Sequence, residues 1–412
     1  MRVVGCSSRG SDPQFRPVAP SSAAERSRSF VASDPAQYRR SASGRAKLNN
    51  LAAGPPARRC HAVRDASPPN APDVSVLIPS FGRPDKLSRC LGSLARQPGA
   101  REGAFETIVG LDGGNEDEAE TIQRAHHAAL GGRLRVIALA RSGYIPVRRR
   151  LFEIARGSIA LSLNDDVTLE PGVIDTHRRA HVSASGPAVV AAGRAHWKPV
   201  ESPTLFDALV QRSPLIFFDP DSASRDEHGR LSYRYCYGLN MSVGVEAVRR
   251  VGGIRGPGFA YGYDDTELAH RLVTEADAVV VDAAHAVVVH DHRYTPEAVL
   301  RREYELGRSA WAYAAESPAF ALDLFRRDIR SSDERAYSRA YLQRERGDAE
   351  RIERSVCSLG AKPSDHVHED MLSVLAEHWT VLKRYLWRWG LLDASAGVPA
   401  RWSLLSEGGP LP

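Results

Sequence analysis

No run of about 18 uncharged apolar residues, the length that a membrane-spanning helix needs, occurs in this 412-residue chain. The most apolar stretch, from Ala276 to His290, is broken by Asp277, Asp282 and His285. Cysteine is scarce. Cys6, Cys60, Cys90, Cys236 and Cys357 are scattered without the paired spacing of a zinc site. Such an odd, sparse set reads as free thiols in a reducing compartment, so the expected location is cytoplasmic. Two nucleotide signatures are missing as well. No G-x-G-x-x-G follows the first apolar strand, and no G-x-x-x-x-G-K-S/T occurs anywhere. Classical dinucleotide binding and P-loop hydrolysis lose their support.

A basic folded region is also missing. The net charge of +5 and the pI near 9.0 describe the whole chain. Residues 1–72 hold 12 Lys+Arg against 4 Asp+Glu, whereas residues 73–412 hold 43 basic and 46 acidic residues. The folded part is mildly acidic, so no nucleic-acid partner is expected. The Ser, Arg, Ala and Pro of residues 1–72 carry no apolar period. They are expected to be a disordered tail. The same composition suits a transit peptide or a translation start placed too far upstream.

From Asp73 onward the pattern is strand, helix, strand. Val74–Ile78 is a β-branched run ended by Pro79. Leu87, Leu91 and Leu94 have helical spacing, and Phe105–Leu111 forms the next strand. Helices are expected at Glu116–Leu130 and Val147–Arg156, and strands at Leu134–Leu139 and Ile159–Leu163. This alternation implies an α/β fold with a mostly parallel sheet flanked by helices. Further strands are expected at Ala188–Ala192, Tyr237–Val243, Ala278–Val281 and Ala286–His290, with helices at Val245–Val251 and Asp264–Glu275. Thr295-Pro296 is a helix-opening pair, and the chain reads as helical from there to about Trp389. The expected domains are 73–295, the α/β part, and 296–412, a helical C-terminal region.

Ligands of open α/β sheets bind at the carboxyl ends of the strands. Three such ends carry polar or glycine residues: Ser80 to Arg83, Asp112 to Gly114, and Asn164 to Asp166. Adjacent carboxylates at Asp165 and Asp166 repel unless a cation or donor sits between them, and Mg²⁺ is held by one or two carboxylates plus phosphates. The alternative is an ordinary Asp-rich turn. Arg141, Arg148 and Arg149 are candidates for phosphate contact, or else a solvated helix face. Other histidines, His126, His127, His177, His181, His366 and His368, lack partners at zinc spacing and are expected at the surface or in caps.

Together these segments resemble the inverting family 2 glycosyltransferases. The likeness lies in Val74–Pro84, in Arg89 to Gln97, in Leu111-Asp112-Gly113-Gly114, and in Gly143 to Asp166. It continues in Gly238–Ser242, Val251-Gly252-Gly253 and Gly262–Leu268, so it covers roughly residues 74–292. The resemblance implies a GT-A fold, a nucleoside diphosphate sugar donor and transfer with inversion. It implies that Pro79, Ser80, Phe81 and Arg83 line the nucleoside pocket and that Asp112 reads the base, uracil in the family's commonest usage. Asp165 would contact the ribose or diphosphate, and Arg148 stands beside it as the candidate basic group for the nucleotide sugar. Asp166, with His290 or its neighbour His292, would hold Mn²⁺ or Mg²⁺. Asp265 would be the base that deprotonates the acceptor, with Asp264 beside it where Glu is usual. The acceptor would be a glycan, a lipid-linked molecule or a small molecule.

Leu111 and Gly114 replace an Asp and a Ser of the family turn, and Asn164 replaces a further Asp. Leu111 and Gly114, together with Asp264 in place of Glu, keep a second reading open, a sugar-nucleotide or glycan-binding module without catalysis. A sugar-phosphate nucleotidyltransferase would carry a glycine-rich, Arg-containing loop after the first strand, which is missing. In the C-terminal region Leu372, Leu375, Trp379, Leu382, Leu386 and Trp389 form one apolar stripe flanked by Lys383, Arg384 and Arg388. It suits packing on the catalytic domain or a peripheral membrane contact.

Overall fold

The sheet is built outward from one strand whose every residue is buried. β1 (Val74–Ser80) lies between β2 (Phe105–Asp112) and β4 (Ile159–Leu163), parallel to both. Burial on both faces explains why these strands read as continuous apolar runs rather than alternating ones. β3 (Leu134–Leu139) adds to β2 in parallel. On the other side β7 (Asn240–Gly244) pairs antiparallel with β4. β6 (Ala188–Trp197), β8 (Ala278–His290) and β5 (Val167–Leu169) complete the order β3-β2-β1-β4-β7-β6-β8-β5. Six strands run one way, and only β5 and β7 oppose them. The computed structural model describes residues 72–213, 215–217, 225–258, 261–364 and 368–407. All of these fall in one compact unit. The tail expectation therefore lies outside the described residues, apart from Pro72, as do Cys6, Cys60 and His366.

Helices cover both faces. α1 (Pro84–Leu94), α2 (Glu116–His126), α3 (Tyr144–Ile154) and α4 (Val173–Ser183) belong to the first half. α5 (Leu205–Arg212), α6 (Val245–Arg250) and α7 (Asp264–Glu275) follow. This is the expected α/β fold, a mostly parallel sheet flanked by helices, with the expected helical C-terminal region.

Several boundaries differ from the expectation. α2 stops at His126 and passes through a 3₁₀ turn to a left-handed Gly131. α3 starts at Tyr144, because Pro146 falls in its first turn, where its missing N–H costs nothing. The two expected closing strands are one strand, β8, bulged against β6 near Ala192 and Arg194. Asp282 sits in β8 because Arg194 pairs with it across the sheet at 2.7 Å. His177 is no surface residue. It is buried, with its ring nitrogens 2.9 Å from Ser242 Oγ and Asn240 Oδ1. Cys90 and Cys236 are buried free thiols, and Cys357 is half-buried.

The C-terminal region folds as α8 (Pro296–Glu316), α9 (Pro318–Phe325), α10 (Ser332–Leu359) and α11 (Glu369–Ser395). The apolar stripe of α11 is packed inside. Leu372, Trp379, Leu382, Leu386 and Trp389 join Phe206 of α5, Leu300 of α8 and Leu342 of α10 in one buried cluster. The stripe is therefore not a face that a bilayer can reach, which corrects the membrane-contact expectation. No helix among the described residues is long and apolar enough to cross a membrane.

α8 and α11 cross at reciprocal glycines. A Cβ on Gly307 would lie 1.9 Å from the Trp387 carbonyl oxygen, and a Cβ on Gly390 would lie 1.9 Å from the Tyr304 carbonyl oxygen. Neither neighbour is a flexible side chain, so the helix axes must separate to admit a methyl group. Gly307→Ala or Gly390→Ala should lower unfolding stability by about 1–3 kcal/mol or more despite the better helix propensity of alanine. Denaturant unfolding checks this, and an unchanged midpoint would show that the crossing is loose.

Candidate active site

The carboxyl end of β1 turns through Ser80 to Arg83, with Gly82 in the left-handed region at φ 62°. Ser80 Oγ donates to Asp165 Oδ2 at 2.7 Å. The Arg83 guanidinium spans both carboxylates that follow β4, at 2.5 Å from Asp165 and 2.6 Å from Asp166. A donor thus separates the adjacent carboxylates, as like-charge repulsion requires. Burial raises the Asp165 carboxyl above its ordinary range, against the opposing pull of Arg83 and Ser80. Burial acts the same way on Asp166. There, hydrogen bonds to His290 and His292 and the charge of Arg83 outweigh it, and the carboxyl is held well below the usual range.

His290 and His292 reach Asp166 from the end of β8, at 3.4 and 3.2 Å. The backbone ties these segments together, since the Asp291 N–H donates to the Asp166 carbonyl at 2.7 Å. Trp197 packs on the His290 ring, with centroids 5.1 Å apart. One ligand atom from each of Asp166, His290 and His292 lies within 4.8 Å of the others. Asp166 Oδ1 meets only His290 Nε2, at 3.4 Å, and His290 Nδ1 is buried without a hydrogen-bond partner. Two imidazoles and a carboxylate with lone pairs to spare fit a divalent cation.

A cleft opens beside this cluster, lined by Ser80, Phe81, Arg83, Asp112, Gly114 and Glu118 among others. Phe81 is 55% exposed, and the Arg141 guanidinium lies 3.5 Å from its ring centroid. Pro79, expected to line this pocket, is a buried β1 residue paired with Gly110, and the cleft begins one residue later. Asp112 is buried and already engaged. It pairs with Arg141 and accepts the Ser142 N–H at 2.7 Å and the Gly143 N–H at 3.1 Å.

Arg148 was expected to face the nucleotide, and it does not. Its side chain is 1% exposed and forms an ion pair with Asp264, itself 3% exposed. It also donates to Ser162 Oγ at 3.0 Å, and Ser162 Oγ donates in turn to the Gly238 carbonyl at 2.7 Å. A Cβ on Gly238 would lie 2.5 Å from the Arg148 guanidinium, so glycine makes room for the ion pair. Asp264 is committed to this pair rather than open to a ligand.

Asp265, the next residue, is half-buried and has no ion-pair partner among the described residues. Its Oδ2 accepts the Gly238 N–H and its Oδ1 the Thr266 N–H, both at 2.7 Å. Burial, and then the adjacent Asp264 carboxylate, push the Asp265 carboxyl up to about 6. Both aspartates open α7 immediately after Tyr263, which holds a left-handed φ of 69°. That conformation is unfavourable for a bulky residue. Tyr263 is held by the C-terminal helices: Trp387 Nε1 donates to its hydroxyl at 3.2 Å, and Tyr313 and Phe325 pack edge-on against its ring. Nothing in the sequence pointed to the contact between Tyr263 and Trp387, because partners 124 residues apart leave no local pattern. Tyr144 was also missed. Its hydroxyl donates to Asn164 at 3.1 Å and its ring faces Arg148, so it spans the two carboxylate clusters.

Residues 75–205, which run through all of the first cluster except its histidines, match the model of glycosyl transferase family 2. This segment resembles that family. Two relatives, the validoxylamine A glucosyltransferases of Streptomyces hygroscopicus subsp. jinggangensis and subsp. limoneus, are each 26% identical over 249 residues, 56% of this chain. The chain matches 58% and 54% of the length of those two proteins. Among solved structures, a mannosyltransferase from Pyrobaculum calidifontis in complex with GDP-Man and Mn²⁺ superposes with a TM-score of 0.48 at 14% identity. That superposition covers 79% of this chain and 87% of the other. The family model and both relatives are those of glycosyltransferases, as the resembling segments led one to expect.

Removing the Arg148 charge leaves Asp264 buried alone. Arg148→Met should therefore destabilise the fold by about 3–5 kcal/mol, the usual consequence of breaking one side of a buried pair. Unfolding in denaturant measures it, and a loss under about 1 kcal/mol would mean that the pair is not structural.

Proposed function

We propose that the protein is a metal-dependent, inverting glycosyltransferase that moves a sugar from a nucleoside diphosphate sugar, in the first instance a UDP-sugar, to an acceptor hydroxyl. The observation that carries this reading is the meeting of two differently tuned sites: a low-pKa Asp166 among two histidines beside a cleft, and a raised Asp265 held by backbone donors. Environments that push carboxylates apart in this way mark out separate chemical roles. In this reading residues 73–295 form the transferase domain and residues 296–412 its helical support.

The chain's own groups divide the work. Phe81 and Arg141 offer a flat surface for the base, while Ser80 and Arg83 stand where the ribose and diphosphate would lie. Asp166, His290 and His292 would hold Mn²⁺, which supplies neutralisation of the charge on the departing diphosphate. The acceptor oxygen attacks the anomeric carbon from the side opposite the diphosphate. The bond to the diphosphate oxygen breaks and its electron pair leaves with the diphosphate. Asp265 accepts the acceptor's proton, for which a carboxyl near 6 is well matched at neutral pH. The names of both relatives make a glucosyl donor and a small-molecule acceptor the first candidates, ahead of glycan and lipid-linked acceptors. The non-catalytic reading rests on Leu111, Gly114 and Asp264. It requires nucleotide binding with no sugar transfer or donor hydrolysis under any metal condition.

Asp265→Asn should lower the transfer or donor-hydrolysis rate by about 10²–10⁴-fold while leaving the donor dissociation constant unchanged by calorimetry. A base must be unprotonated to act, so the wild-type rate should fall as pH drops through about 6. A rate that is flat from pH 5 to 8, or full turnover in Asp265→Asn, contradicts this assignment.

Asp166→Ala should abolish the difference in nucleotide affinity between Mn²⁺ and EDTA. If that difference survives in the variant, the metal is held elsewhere.

A further inference from the structure

Asp112, the residue expected to read the base, has little capacity left to do so. Arg141 and the two N–H groups of Ser142 and Gly143 occupy its carboxylate and fasten the end of β2 to the turn before α3. A base N–H could bind there only by displacing one of them. A second carboxylate lines the same cleft, that of Glu118 in the first turn of α2. Its backbone is pinned, because the Glu118 N–H donates to Asn115 Oδ1 at 2.8 Å. Its carboxylate has no hydrogen-bond or ion-pair partner among the described residues.

The turn leading into α2 is shaped around this side chain. A Cβ on Gly114 would lie 2.6 Å from Leu111 Cβ and 3.2 Å from Glu118 Oε2. The two departures from the family turn, Leu111 and Gly114, are therefore coupled. Leu111 is buried in the core, and the glycine at 114 leaves the space into which Glu118 reaches.

We propose that Glu118 is the base-reading residue of this cleft and selects nucleotides whose base presents a ring N–H, uracil or guanine, over cytosine and adenine. The assignment rests on the nucleotide-sugar reading above. A carboxylate only accepts hydrogen bonds. Uracil N3–H and guanine N1–H are donors at the ring edge. The corresponding cytosine N3 and adenine N1 are acceptors whose lone pairs oppose the carboxylate. With Phe81 and Arg141 offering a face that stacks on any base, discrimination falls to this edge contact. One charge-assisted hydrogen bond supplies roughly 10–100-fold. The competing role is a first-turn carboxylate that merely interacts with the helix dipole. That role affects stability and not base preference.

The test is calorimetric titration of the full chain with UDP, GDP, CDP and ADP in the presence of Mn²⁺. In the wild type, UDP or GDP should bind about 10-fold or more tightly than CDP and ADP, and the UDP and GDP arms show which base the cleft accommodates. Glu118→Gln carries both a donor and an acceptor and should bring the ratios close to one. Glu118→Ala should weaken the favoured nucleotide at an unchanged thermal midpoint. Selective binding by the wild type with ratios unchanged in Glu118→Gln overturns the Glu118 assignment alone. A folded wild type that binds none of the four overturns the nucleotide-sugar reading and this assignment with it.

Discussion

The buried ion pair between Arg148 and Asp264 is the constraint on which the rest of the site depends. Two charges taken out of water are tolerated only when each is matched and hydrogen-bonded. Here α3 supplies the cation and α7 the anion, while Ser162 of β4 and the side-chain-free Gly238 complete the enclosure. The pair fixes the start of α7 against the sheet. It also uses up the nearest positive charge, so Asp265 sits beside a neutralised pair and accepts from the backbone N–H groups of Gly238 and Thr266. The C-terminal helices finish the task by holding Tyr263 in its left-handed conformation. Their contribution to the site is support, delivered through Trp387, Tyr313 and Phe325.

The other carboxylate cluster is tuned in the opposite direction. Asp166 is also buried, yet Arg83 and two imidazoles surround it and hold it ionised. The two clusters share chain neighbours along β4, and Tyr144 touches both through Asn164 and Arg148. One sheet edge therefore carries one carboxylate held well below the usual range and another raised above it.

Most of the sheet was legible because strands buried on both faces leave uninterrupted apolar runs, as in Val74–Ile78 and Ile159–Leu163. α7 was legible to its ends, Asp264 and Glu275, from its acidic start and apolar spacing. β5, α4 and α5 were not: β5 has three residues, and α4 presents mixed polar faces. The segments that carry Ser80, Arg83, Asp165 and Asp166 were placed together from strand ends, and His290 from the family resemblance, and they do meet. Arg148 and Pro79 were misplaced because a local pattern says which residue stands near a site, not which way its side chain turns. Glu118 drew no attention because an acidic first turn is ordinary at a helix N-terminus. Its distinction lies in the space left by Gly114, which only three dimensions reveal.

The central claim is that the Arg148–Asp264 pair leaves Asp265 poised as a base near neutrality. Carboxylate ¹³C NMR, with the Asp265 resonance assigned by its loss in Asp265→Asn, measures this directly. The account predicts a titration midpoint near 6 for Asp265 in the folded protein. A midpoint at or below the ordinary aspartate value of about 4 would contradict it.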